Sequence, residues 1–352
     1  MDALRNSVKN LHPTYFAMVM ATGIVSIATH LLGMGTIAVL LFWINLLTFV
    51  ILWLMTFARL VFYSRDIYFD LIDHIRGVGF FTIVAGTCVL GSQFVLILEA
   101  YSIARVLWFV GILLGFFLTY AIFAGLAIKE TKPSLAEGIH GGWLVAVVAT
   151  QSVSVLGSLL VPRFEAYQEP VIFFSLYLWL FGGMLYIWLI SLIFYRYYFF
   201  KFSPSDLTPP YWINMGAMAI STLAGTILIA NASNSPFLQE MLPGIKIFTL
   251  LFWATGTWWI PMLFIGGIWR HVYKRFKLVY DPLYWGAVFP LGMYTTCTFQ
   301  LSKLLNFPFL YEIAKYFIYI ALLAWGITFF GLLHSLVSGL LKGFFQLRLY
   351  RR

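Results

Sequence analysis

Ten stretches of mostly apolar residues, each long enough to cross a bilayer as a helix, follow one another with only short charged breaks. They cover residues 13–32, 37–58, 77–98, 103–128, 141–161, 170–195, 211–230, 245–269, 284–305 and 312–334. Only 10% of the residues are charged, against about 25% in a soluble domain, so a surface of this composition cannot face water. A mean hydropathy of +0.90 says the same. Runs this long exclude an outer-membrane barrel, whose strands are alternating segments of about ten residues. Two cysteines exclude a disulfide scaffold, and 28 glycines without a period exclude collagen. The expected fold is an all-α polytopic membrane protein of ten transmembrane helices. The first span lacks the basic flank and small-residue cleavage site of a removable signal. Residues 1–12 are read as an N-terminal tail, 13–334 as the membrane domain and 335–352 as a basic C-terminal tail.

Basic residues give the orientation. Seventeen of the 22 Lys and Arg lie on one side of the spans, including Arg59, Arg76, Lys129, Arg196, Arg270 and Lys274, while Arg105, Arg163, Lys246, Lys303 and Lys315 lie on the other. The richer side is cytoplasmic, which puts both termini inside and a multi-pass protein in the plasma or inner membrane. The net charge of +9 then reflects topology and anionic lipid. It does not point to nucleic acid, because the basic residues form no continuous groove.

A unit of two helices recurs five times. Tyr15 is followed seven residues later by Thr22, Phe80 by Thr87 and Trp143 by Thr150, and the seventh and ninth spans open on Tyr211-Trp212 and Tyr284-Trp285. Polar residues follow the same parity: Ser, Thr, Asn and Gln number 22 in the odd spans and 10 in the even ones. Each hydroxyl alone is interhelical glue or a bond to its own backbone. The asymmetry as a whole predicts five odd helices as an inner ring around a central pore, with five even helices outside. Candidates for its lining are Thr22, Ser26, Thr87, Thr150, Ser154, Ser221, Thr222, Thr295 and Thr296.

No Asp or Glu falls inside a span core, no Gly-Lys-Ser/Thr phosphate loop is present, and Cys88 and Cys297 stand alone. Neither a catalytic pair nor a metal site is expected, and no cofactor. His12, His74 and His140 each precede an odd span. They are either interfacial caps or a ring of donors at the pore mouth, with Lys303 at the far mouth. All five odd helices start on the cytoplasmic side, and each N-terminus carries about +0.5 charge. A path between them, free of carboxylates, favours anions.

The first span, His12-Pro13-Thr14-Tyr15-Phe16 through Met20-Ala21-Thr22-Gly23-Ile24-Val25-Ser26, resembles the opening of yeast malate permease and sulfite-pump sequences. Trp285-Gly286-Ala287-Val288-Phe289-Pro290 resembles the ninth helix of plant slow-type anion channels. Both belong to one superfamily with the tellurite-resistance (TehA) proteins and C4-dicarboxylate transporters. The resemblance implies five helical hairpins around a pore, a homotrimer, and an aromatic gate on the ninth helix. Matched to the Phe-Pro pair, the gate is Phe289, with Pro290 as the pore kink. Ala21 stands where relatives often have Gly, and Tyr15 where they often have Trp. The expected function is a channel or permease for small inorganic or organic anions, not an enzyme. The alternative is a proton-coupled carrier for malate-like dicarboxylates, or a sulfite exporter.

The charge split yields a topology test. With Lys274→Cys and Gln168→Cys, an impermeant thiol reagent outside intact cells is expected to label position 168 and leave 274 silent. Labelling of 274 alone inverts the orientation.

Overall fold

A computed structural model describes residues 2–349, with side chains from 5 to 338. Among these residues every regular element is helical. Ten long helices run in order: Ala17–Leu31, Gly35–Phe62, Phe81–Leu98, Tyr101–Ile128, Val145–Leu160, Gln168–Phe199, Ile213–Ala230, Pro236–Ile268, Trp285–Leu305 and Pro308–Leu349. Nine of the described helices are long and apolar enough to cross a membrane. The helix Trp285–Leu305 is not among them, and it carries Thr295, Thr296, Thr298, Gln300, Ser302 and Lys303 within its last eleven residues.

Two boundaries differ from the sequence reading by nine residues or more. The eighth helix starts at Pro236 rather than near 245, because the Ser235 side chain accepts a hydrogen bond from the Leu238 N–H and a proline suits the first turn. The tenth runs to Leu349 without a break at 334, since no glycine or proline stops it there. Lys342, Arg348, Arg351 and Arg352 of the expected basic tail lie outside the described side chains.

The five-fold repeat has a backbone counterpart. Every odd helix opens with a 3-10 turn, at Pro13–Phe16, Gly77–Phe80, Gly141–Leu144, Pro209–Trp212 and Pro282–Tyr284. Short links to the even helices then use left-handed residues: Gly33 (φ 80°), Glu99 (φ 53°) and Asn306 (φ 54°). Such a residue reverses the chain within a few positions.

Parity also sorts the helices by burial. In the first, third, fifth and seventh spans 83–89% of the spanning window is buried, against 17–44% in the even spans. The first helix packs on the third, the third on the fifth, the fifth on the seventh, the seventh on the ninth, and the ninth on the first. Because lipid is as apolar as leucine, contact quality and hydrogen bonds must hold such helices together.

Two recurrent sets of hydrogen bonds supply that. In the first, each even helix donates to the next odd helix. Asn45 Nδ2 reaches Gln93 Oε1 (2.6 Å), Trp108 Nε1 the Val153 carbonyl (3.0 Å), and Trp179 Nε1 the Ser221 carbonyl (2.8 Å). Trp253 Nε1 reaches Thr298 Oγ1 (3.0 Å), and Trp325 Nε1 closes the cycle on Thr22 Oγ1 of the first helix (3.0 Å). In the second set, a basic residue near the end of an even helix clasps the segment leading into the odd helix of its own hairpin. Arg59 donates to the Lys9 carbonyl, Lys129 to Ile72, Arg196 to Ala136 and Arg270 to Leu207.

The Trp325–Thr22 bond joins the last hairpin to the first, so its removal tests the cycle. Trp325→Phe is expected to destabilise the detergent-solubilised protein, with a coupling to Thr22→Val of about 0.6–1.7 kcal/mol in a double-mutant cycle. Zero coupling would mean that the indole contributes packing only.

Candidate functional site

The polar groups of the odd helices have to be settled one by one, since hydrocarbon offers them no partner. Most turn back on their own helix: Thr87 donates to the Ile83 carbonyl, Ser221 to Ala217, Thr222 to Met218, Thr295 to Leu291 and Thr296 to Gly292. Others face the peripheral helices. Thr22 accepts from Trp325, Ser26 Oγ donates to the Ala38 carbonyl (2.7 Å), and Ser154 Oγ to the Ser175 carbonyl (2.7 Å). Thr150 bonds the Ala146 carbonyl and lines an outer groove with Phe116, Tyr120 and Phe181.

Two chambers lie between the odd helices, and all five contribute to each. The larger, about 210 Å³, sits where the helices begin, at the face rich in Lys and Arg. Its wall includes Ala17, Met20, Thr82, Val145, Ile213 and Gly286, with His12, His140, Arg196 and Asp206 around the mouth. The smaller, about 30 Å³, lies toward the other end, among Ile24, Ser92, Ser152, Ile220, Met293, Thr296 and Gln300. It has room for about one water. Thr296 is the member of the expected lining that the structure brings to a chamber between the odd helices; Ser92, Ser152 and Gln300 join it and were not singled out.

Helical period shows what separates the chambers. The ninth helix gives Gly286 to the first chamber and Met293 to the second. The turn between them holds Phe289 and Pro290, and Phe289 is wholly buried. The corresponding turns carry Ala85 and Gly86 on the third helix, Val148 and Ala149 on the fifth, and Gly216 and Ala217 on the seventh. The first helix carries Met20 and Ala21 there. Gly216 has to be small, because a Cβ there would stand 2.7 Å from the Pro290 ring.

The histidines at the mouth are caps. His12 Nδ1 accepts from the Thr14 N–H (3.2 Å) and His140 Nδ1 from the Gly142 N–H (3.1 Å), each at the start of a 3-10 turn. With Nδ1 accepting, the neutral ring keeps its proton on Nε2. Burial is the main reason that His12 titrates near 4, helped by Arg76. Burial likewise takes His140 to about 4; the Ile75 and His74 carbonyls oppose the shift, and Arg196 adds to it. His74, lowered by burial and by Lys129, lies 6.2 Å from the Trp143 ring and lines neither chamber. Lys303 is exposed at the opposite end, its Nζ 4.4 Å from the Phe299 ring.

Several carboxylates at the basic face are engaged. Asp70 takes both Arg59 (2.7 Å) and Arg76 (2.6 Å). Glu137 closes a capping box with Ser134. Partial burial works to raise the Asp206 carboxyl, but the Ser203 N–H and hydroxyl and Arg196 outweigh it and hold the group below the usual range. Among the described residues no His, Cys, Asp and Glu group has the arrangement of a metal site.

The sequence matches a family described as voltage-dependent anion channel over residues 10–333. It is 27% identical to an uncharacterized transporter of Methanocaldococcus jannaschii, over 96% of this chain and 98% of that protein. It is 38% identical to an uncharacterized membrane protein of Mycobacterium tuberculosis, over 44% of this chain and 78% of that one. It is 23% identical to a sulfite efflux pump of Trichophyton rubrum, over 92% of this chain and 90% of that pump.

The caps carry a pH signature. Their folded values of about 4 lie below the ordinary 6.5, so between those limits the unfolded chain binds more protons. The contribution to stability is complete above pH 6.5 and is lost as pH falls toward 4. The double variant His12→Gln, His140→Gln is expected to flatten this acid limb in thermal unfolding, and an unchanged limb assigns it to other groups.

Proposed function

The chain belongs to the voltage-dependent anion channel family, and on that premise we propose that it passes small anions along a central path between its five odd helices, gated by Phe289. What supports this reading is the pair of chambers, each walled by all five odd helices, and the position of the wholly buried Phe289 on the ninth helix, between Gly286 of one chamber and Met293 of the other. A phenyl ring across so narrow a passage keeps water out, and an ion meets a dewetted barrier. Pro290 removes a backbone donor from the helix at that turn.

Selectivity follows from the same layout. Five helix N-termini open on the larger chamber and bring about +0.5 charge each. The histidines there are neutral caps, so the dipoles and Arg196, not the imidazoles, supply the positive potential. The richer basic face is cytoplasmic in this reading, the membrane is the plasma or inner membrane, and the assembly is the homotrimer implied by the family resemblance.

Similarity to sulfite efflux pumps favours one second reading, a sulfite exporter or a related proton-coupled carrier of C4-dicarboxylates. Flux at fixed voltage separates the two. A carrier responds to a pH gradient, and a channel does not.

In reconstituted bilayers, Phe289→Ala is expected to raise anion conductance severalfold at unchanged expression, while Phe173→Ala, on the exposed surface of the sixth helix, leaves it alone. A reversal potential that follows the cation gradient would sink the anion reading. Unchanged conductance in Phe289→Ala moves the barrier to another residue.

A further inference from the structure

The four clasps are chemically alike but electrostatically different. Arg59 is matched by Asp70 at hydrogen-bond distance. Arg270 and Arg196 each lie over a ring, Phe276 at 4.4 Å and Phe202 at 5.1 Å, but Arg270 stands away from the larger chamber. Lys129 also lies outside that chamber. Arg196 alone of the four lines it, although the residue is only 8% exposed. Its Nε is spent on the Ala136 carbonyl (2.7 Å) and one NH1 donor on the Tyr211 hydroxyl (3.2 Å). Its NH2 group faces Asp206 Oδ1 at 3.7 Å, an ion pair too long for a hydrogen bond. Asp206 is itself anchored elsewhere, through Oδ2, to the Ser203 N–H and hydroxyl at 2.7 Å each.

We propose that Arg196 is a docking site for a small oxyanion in the larger chamber, and that Asp206 is the built-in anion which that ligand displaces. A guanidinium held at Nε and on one side of NH1 keeps a rigid fork of remaining donors, which suits two oxygens of one anion better than a single halide. The Asp206 carboxylate hangs from a loop by its other oxygen, so it screens the cation without closing a hydrogen bond on it. Arriving anions therefore trade a loose contact for a close one. Glu137 stands in the same wall, its carboxylate accepting from the Ser134 N–H and hydroxyl, and Arg196 is the one lysine or arginine among the lining residues. The site rests on the anion-transport reading for its purpose, since it would load the inner end of the path. Its existence does not depend on flux.

Binding is measured on the purified protein in detergent, titrated with sodium sulfite or sodium nitrate at ionic strength balanced by chloride, with the thermal midpoint as readout. Wild type is expected to be stabilised by the oxyanion beyond chloride. Asp206→Asn keeps the Arg196 bonds to Ala136 and Tyr211, and is expected to reach half-effect at about two- to fivefold lower oxyanion concentration, the worth of a partly exposed ion pair. Arg196→Lys is expected to lose the preference over chloride. An Asp206→Asn half-effect equal to or above wild type, or sulfite and nitrate doing no more than chloride in both proteins, overturns the site. Oxyanion binding without anion flux into vesicles would instead remove the permeation reading and leave the site, and flux with no Asp206→Asn effect would do the reverse.

Discussion

Hydrocarbon cannot hydrogen-bond, and this governs the arrangement of the whole chain. A helix satisfies its own backbone, but each Ser, Thr, Asn, Gln or Trp within a span must find a partner among neighbouring helices or on its own last turn. Here Thr87, Ser221 and Thr222 take the second route and add little between helices. Tryptophans take the first. Trp108, Trp179, Trp253 and Trp325 bury an apolar body beside lipid-facing surface and push one N–H inward to an odd helix, a division that suits an indole. The five bonds join hairpin to hairpin, and the last returns to the first.

At the basic face the constraint changes from hydrogen bonding to charge. Even helices end there, so their carboxyl ends favour cations, and Arg59, Lys129, Arg196 and Arg270 occupy those ends. Each reaches across to a carbonyl of the segment that begins the odd helix of its hairpin. Local chain geometry at the mouth is therefore set by cations. Asp70 and Asp206 are paired and Glu137 closes a capping box, and His12 and His140 stay neutral because they are buried and already accept backbone bonds. Arg196 is the one lysine or arginine that lines the larger chamber.

Further in, size takes over from charge. The third, fifth and seventh helices place Ala85, Val148 and Gly216 at the register where the ninth places Phe289. The first helix places Met20 at that register, and alanine and glycine on the third and seventh let helix backbones approach closely. Replacing Gly216 with any residue bearing a Cβ would press on the Pro290 ring and shift the turn that holds Phe289.

How much of this the residues announce depends on the range of the force concerned. Nine of the ten spans, helix parity and the grouping of basic residues were legible, because partition between water and hydrocarbon depends on composition within one segment. The five-fold repeat was legible too, since its aromatic residues mark each opening turn. Side-chain direction was not. A threonine on a helix buried on most sides reads the same whether it faces a chamber, as Thr296 does, or a peripheral tryptophan, as Thr22 does. The cycle of donors escaped notice because its members differ in kind: one amide and four indoles, ending on carbonyls, a side-chain amide and two hydroxyls. Arg196 counted only toward orientation, for its neighbour Asp206 reaches it through a loop rather than along a helix. By itself the sequence determined what must enter the membrane and which helices carry polar groups. Tertiary structure decided which of those groups meet, because contacts between helices far apart in the chain are fixed by packing and not by local pattern.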